Sequence, residues 1–108
     1  MFSKSDSTLQ SYTRLSDELA HLSDVRIEEK KGSIHVVSGR AAFLGVHPRK
    51  EGLLLNIVLA RPITDARIIK AEQVSRSRFH NELKICRPEE IDDTVIGWIR
   101  EAHSIQTQ

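Results

Sequence analysis

Leu53-Leu54-Leu55-Asn56-Ile57-Val58-Leu59-Ala60 is the stretch on which the fold turns. Only Asn56 in it is polar, and turn residues bound it, Glu51-Gly52 before and Arg61-Pro62 after. It reads as a strand covered on both faces, and so as the centre of a sheet.

The residues upstream read as further strands. Ala41–Val46 is apolar and is expected to stop at His47-Pro48, because proline removes a ladder donor. Gly39-Arg40 is a turn signal, preceded by the β-rich run Ser33–Ser38 with Ile34, Val36 and Val37. Lys31-Gly32 is another turn, and before it Val25 and Ile27 alternate with Asp24, Arg26 and Glu28. Turns at this spacing predict an antiparallel meander. Downstream, residues 62–76 read as either a short strand or an irregular loop. The next strand is plain: Phe79, Asn81, Leu83 and Ile85 share one face, and Arg78, His80, Glu82, Lys84 and Cys86 share the other. Such alternation describes a half-solvated strand.

Helical periodicity marks both ends of the chain. Ser7-Thr8-Leu9-Gln10 has the form of a capping box. Leu9, Tyr12, Leu15, Leu19 and Leu22 then recur at steps of three and four, which places them on one helix face. At the other end, Arg87-Pro88-Glu89-Glu90 is expected to start a helix, with its acids at the positive end of the dipole. Ile91, Val95, Trp98, Ile99 and Ala102 form its apolar stripe, so Trp98 is expected in the core. Gly97 is expected to let this helix approach the sheet closely, and residues 106–108 are expected to fray. The fold class is therefore α+β: a single domain over residues 1–108, with an antiparallel sheet of about five strands and both terminal helices on one face.

Composition narrows the function classes. The 108 residues are 29% charged and 39% apolar, a soluble globular balance, with a net charge of +1. The single cysteine, Cys86, cannot form an internal disulfide. The start reads as no secretory signal and no apolar run approaches a membrane span, so the expected setting is cytoplasmic, with no membrane partner. The near-neutral total hides an asymmetry. Residues 40–87 hold ten bases against Glu51, Asp65, Glu72 and Glu82, a net of +6, and the remainder is −5. With acidic helices on one side, the other face of the sheet is expected to be basic and to suit an anionic ligand or protein partner.

Two clusters are candidate anion sites. His47-Pro48-Arg49-Lys50 reads as a turn where an imidazole, a guanidinium and an ammonium converge. Ser75-Arg76-Ser77-Arg78-Phe79-His80 puts Arg78 and His80 on one strand face. A nucleic-acid backbone is the alternative partner, met by Arg40, Arg49, Lys50, Arg76 and Arg78. The aromatics Phe2, Phe43, Phe79, Tyr12 and Trp98 are too few for a base-stacking platform. Histidines 21, 35, 47, 80 and 103 show no His-x-x-x-His pair, and there is no CxxC, which leaves only a nonlocal metal site of His35, His47 and His80. No Walker, GxGxxG or GxSxG motif is present, so no cofactor is expected. An enzyme reading rests on His47 or His80 as general base. An exposed strand edge would favour a homodimer.

Several stretches together resemble the DUF 5655 family, a domain of unknown function. They are Ile34–Val37, Phe43 through Lys50, Leu53 through Ile57, Asp65-Ala66-Arg67 (where the family tends to have Asp-Pro-Arg), Phe79 through Leu83, and Ile91-Asp92-Asp93 through Trp98-Ile99-Arg100-Glu101-Ala102. The resemblance covers about residues 25–104. It implies a domain that occurs alone or at the C-terminal end of larger bacterial proteins, some called predicted transport proteins and some carrying nuclease-like domains. It supplies no catalytic residues. The resemblance thus bears on the fold, and the functional expectation, a small noncatalytic binding or interaction module, rests on the basic sheet face and hairpin.

Overall fold

Four of the strand connections are two residues long. The register pairs that close them are Lys30↔Ser33, Ser38↔Ala41, Arg49↔Gly52 and Ser75↔Arg78. Connections this short leave the chain no choice but to return antiparallel. The computed structural model describes residues 6–39, 41–50 and 52–107. In chain order it has α1 (Asp6–Leu19), β1 (Arg26–Lys30), β2 (Ser33–Ser38), β3 (Ala41–Arg49), β4 (Gly52–Leu59), β5 (Ile68–Ser75), β6 (Arg78–Ile85), a short 3₁₀ helix (Pro88–Glu90) and α2 (Asp93–Thr107). The strands form one open antiparallel sheet of order β1-β2-β3-β4-β6-β5.

The α+β class, the meander and the central place of β4 agree with the sequence reading. The sheet has six strands rather than five, because the undecided segment 62–76 holds β5. β5 is exposed along almost its whole length, so no hydrophobic alternation betrays it. β3 does not stop at His47-Pro48 but runs on to Arg49, with Pro48 paired to Leu53. The β2–β3 ladder ends at Ile34↔Val46, so a proline beyond that point meets no β2 partner.

One face of the sheet carries the core. Ile34 and Val36, Leu44 and Val46, then Leu53, Leu55, Ile57 and Leu59, then Leu83 and Ile85 are all buried on it. Leu15 and Leu19 of α1 and Val95, Ile96, Ile99 and Ala102 of α2 close over them in one cluster. Each fully buried side chain of this size contributes roughly 1.5–3 kcal/mol. Both helices therefore lie on the same face, and among the described residues no element covers the other. β4 is accordingly not covered on both sides: Leu54 and Asn56 are half-exposed.

The helices differ from their sequence reading in three ways. Leu9 is 48% exposed, and Thr8 and Ser11 are buried in its place. Thr8 is held there by the β3–β4 hairpin: its Oγ1 donates to Arg49 O (2.9 Å) and accepts from Gly52 N–H (2.7 Å), the two groups of the closing register pair. Gly52 itself has φ +129°, and a Cβ there would lie 2.1 Å from Ile85 O. The Ser7 side chain, and with it the expected capping box, lies outside the described residues. Secondly, α2 does not start at Pro88. The 3₁₀ helix comes first, Ile91 is buried between the two, and Asp92 Oδ1 caps α2 by accepting Val95 N–H (3.0 Å). Residues 106–107, expected to fray, remain in α2. Thirdly, Gly97 faces solvent and a Cβ on it would meet nothing within 4 Å, so it serves no close approach.

The connection from β4 to β5 passes over β6, which inserts between them. A fully buried amide holds this arrangement. Asn81 Oδ1 accepts Ile63 N–H (2.8 Å), and its Nδ2 donates to Ile57 O and Arg61 O (3.2 Å each). Replacing Asn81 by Ala strands these backbone groups in the interior. We expect Asn81→Ala to lower unfolding stability by about 2–3 kcal/mol in urea titrations. Gly97→Ala is expected to raise it by about 0.5–1 kcal/mol, measured the same way, since helix propensity is all that changes.

Candidate functional site

The uncovered face is built by register. His35 lies across from Gly45, Gly45 from Asn56, and Asn56 from Glu82. The adjacent row runs His47, Leu54, Lys84, and the row on the other side pairs Val58 with His80 and His80 with Glu72. Side chains in these rows share a face because strand periodicity is two. Gly45 makes room at the centre: a Cβ there would approach His47 Nε2 to 3.4 Å and Asn56 Cβ to 3.5 Å. Asn56 Nδ2 lies 3.1 Å from His80 Nδ1, a hydrogen bond in which the amide donates when that ring nitrogen carries no proton. Asn56 Oδ1 is buried and has no partner among the described residues.

The five predicted site residues do not form one cluster. His47 and His80 are half-buried near the middle of the face, on either side of the Asn56 row. Arg49 and Lys50 are exposed at the β3–β4 hairpin. Only Lys50 of the expected four-residue turn is in the turn; His47, Pro48 and Arg49 belong to β3. Arg78 sits at the opposite end, six residues along β6 from Lys84, or roughly 20 Å at the strand rise. Lys84, on the same face, joins Arg49 and Lys50 in lining a shallow depression around Leu54. The strand alternation had placed Lys84 on this face, but only the β4–β6 register puts it beside the hairpin. Arg49, Lys50 and Lys84 form no ion pair with any described carboxylate. Arg40 lies outside the described residues.

Part of the +6 segment faces the other way. Arg61 makes a bidentate pair with Glu101 of α2 (2.9 and 3.1 Å). Arg67 pairs with Asp65 (3.2 Å) and Asp92 (3.0 Å), and its guanidinium lies 5.3 Å over the ring of Trp98. The Arg67 guanidinium, then the Arg67 backbone N–H, hold the Asp65 carboxyl below its usual range; at Asp92 the Val95 N–H does so first and Arg67 adds to it. Trp98 is half-buried, packed against the core cluster as expected but at its margin, with Arg67 over its ring. Arg61 and Arg67 thus fasten the β4–β5 connection to α2 and leave the uncovered face.

The surroundings of His47 lower its basicity. Partial burial lowers its basicity first, then the charges of Arg49 and His35, with Glu82 opposing. No three His, Cys, Asp or Glu side chains gather to hold a metal ion among the described residues, so His35, His47 and His80 do not form the nonlocal metal site. The lowered His47 value has a definite sign. Below about pH 6.5 the unfolded chain takes up a proton that the folded chain resists, so the stability gained by keeping His47 neutral is present above that pH and is lost as pH falls through the lower folded-state value. We expect His47→Gln to lose less stability than the parent between about pH 7.5 and about pH 5, read from denaturant midpoints at each pH.

No helix in the described residues is long and apolar enough to cross a membrane. Neither the curated proteins nor the solved structures contain a match to this chain. One family does match, over residues 1–106, and the match takes in α1 as well as the sheet. The chain belongs to the family described as Domain of unknown function (DUF5655).

Proposed function

We propose that this domain is a noncatalytic binding module that receives an anionic ligand or an acidic protein surface at the hairpin end of its uncovered sheet face, working as a monomer or a homodimer in the cytoplasm. The observation that carries the reading is the group of Arg49, Lys50 and Lys84 around Leu54, three cations with no described carboxylate partner on a face that no described element covers. Cations neutralised inside a fold, such as Arg61 and Arg67, have spent their charge; these have not. An apolar floor of Leu54 between cationic rims suits an anion carried on an organic body. His47 stands next to this group, neutral at physiological pH, and offers a hydrogen bond rather than a charge.

A nucleic-acid backbone is the second reading. Arg78 on the same face lies roughly 20 Å from Lys84, so an extended polyanion would reach both ends of the sheet. The catalytic reading has less behind it. The partner of His80 is an amide, and no hydrogen-bonded carboxylate orients His47 or His80 among the described residues.

The experiment is an NMR titration of the full chain with inorganic tripolyphosphate and with a short DNA duplex, at low and at physiological salt. Shifts are expected at Arg49, Lys50, Lys84 and His47. An Arg49→Ala, Lys50→Ala double variant should weaken binding about tenfold and lower the salt slope by about 2 for a phosphate backbone. Duplex binding that also moves Arg78 selects the nucleic-acid reading. No shift on the face at low salt with either probe overturns the proposal.

A further inference from the structure

β5 is an edge strand with one side unpaired. Seven of its eight residues are exposed, including Ile69 at 63% and Val74 at 48%. An unpaired edge offers a row of backbone N–H and C=O groups to any strand that fits. Strand geometry limits what fits if the partner is a second copy of this chain. A two-fold axis perpendicular to the sheet keeps each face continuous, so residues that face each other across the axis must point the same way. Lys70 and Glu72 point to the uncovered face, as their register partners Glu82 and His80 do, and Ala71 and Gln73 point to the helix face. That parity allows a two-fold axis at any residue of the regular run 70–73. At Lys70 it sets Lys70 against Lys70, at Glu72 it sets Glu72 against Glu72, at Gln73 it sets Glu72 against Val74 of the second bulge, and only at Ala71 does it set Lys70 of each copy against Glu72 of the other. Like charges directly opposite each other destabilise a sheet and opposite charges stabilise it.

We infer that two copies of this chain pair antiparallel through β5 with the two-fold axis at Ala71, joining their sheets into one. The inference gives a surface and a register to the self-association included in the proposed function. In this register the existing Lys70–Glu72 pair (3.8 Å) becomes half of an alternating four-charge cluster. Ile68 and Ile69 of one copy come beside Val74 and Gln73 of the other, which covers the two most exposed large apolar side chains of the strand. Ala71 on the axis has no bulk to hold the backbones apart. Bulges at Ile69 and Val74 bracket the regular run and limit the shared ladder to the middle of the strand, so the association is weak and the dimer fraction rises with concentration by mass action. The opposite edge offers less. In β1, a register setting Arg26 against Glu28 overlaps only three of its five strand residues.

Sedimentation equilibrium on the full chain over a range of concentrations tests this. The parent is expected to pass from monomer to dimer. Lys70→Glu alone or Glu72→Lys alone should raise the dimer Kd about tenfold or more, because symmetry places each change at two contacts. The Lys70→Glu, Glu72→Lys double variant should return Kd to within about threefold of the parent, since the opposite-charge register is regained. Circular dichroism of each variant checks that it folds. Ala71→Cys, made with Cys86→Ser, should cross-link across the axis under mild oxidation, as facing strand positions fall within disulfide range. A parent that stays monomeric at every concentration overturns both this inference and the self-association. A dimer that ignores the single reversals, or that the double reversal does not restore, overturns the β5 register alone.

Discussion

Asn81 is the residue on which the sheet order depends. A meander of short hairpins builds β1 to β4 without help, but β6 must insert between β4 and β5, and the connection that crosses it must bury backbone. A buried polar backbone group without a partner costs about 1–3 kcal/mol, roughly twice the net worth of a hydrogen bond. The Asn81 amide accepts one N–H from that connection, at Ile63, and donates to the carbonyls of Arg61 and Ile57. It therefore ties β4, β6 and the crossover at one point inside the apolar face. Leucine there would fill the volume and leave those groups unsatisfied. Asp would carry a buried charge with no base to meet it.

With the crossover fixed, the distribution of charge follows. Arg61 and Arg67 lie on that connection, so they reach α2 and pair with Glu101 and Asp92. Asp92 thus meets Arg67 from outside the helix while it still caps α2. Of the other bases of that segment, Arg49, Lys50 and Lys84 gather at the hairpin end of the uncovered face, Arg78 stands at the other end, and Lys70 on β5 pairs with Glu72. The hairpin end is also the more firmly held. The Thr8 hydroxyl bridges Arg49 O and Gly52 N–H, so α1 on the covered face fixes the loop that presents Arg49 and Lys50 on the open one. A binding site at that end would meet a preordered backbone, which lowers the entropic cost of association.

The uncovered face has a chemistry of its own. Its centre is amide and imidazole rather than aliphatic, with Asn56 bonded to His80 and His47 seated over Gly45. Such a surface tolerates water, which is consistent with a sheet that has helices on one side only. Among the described residues it has no aromatic ring apart from the imidazoles, since Phe43 is buried against His103 on the covered side and Trp98 lies under Arg67. Recognition there rests on charge and hydrogen bonds.

Local pattern carried the fold class. Two-residue turns at Lys31-Gly32 and Gly39-Arg40, the apolar run of β4 and the helical stripes of Leu15-Leu19 and Val95-Ile99 are properties of neighbouring residues, and neighbouring residues are what a sequence displays. β5 escaped because an edge strand exposed almost throughout buries nothing and so shows no period. Leu9 misled because helix phase near a terminus is set by what the helix docks on, and the Thr8 bridge turns the first turn toward the hairpin. The candidate site divides in the same way. The sequence alone determined that His47, Arg49, Lys50, Arg78 and His80 belong to strands or their ends and that the middle of the chain is basic. Only the tertiary structure decided that Lys84 joins Arg49 and Lys50, that Arg78 stands roughly 20 Å away, and that Arg61 and Arg67 are already paired. Each of those facts depends on cross-strand register and on the path of one connection, and both are set by contacts between residues far apart in the chain.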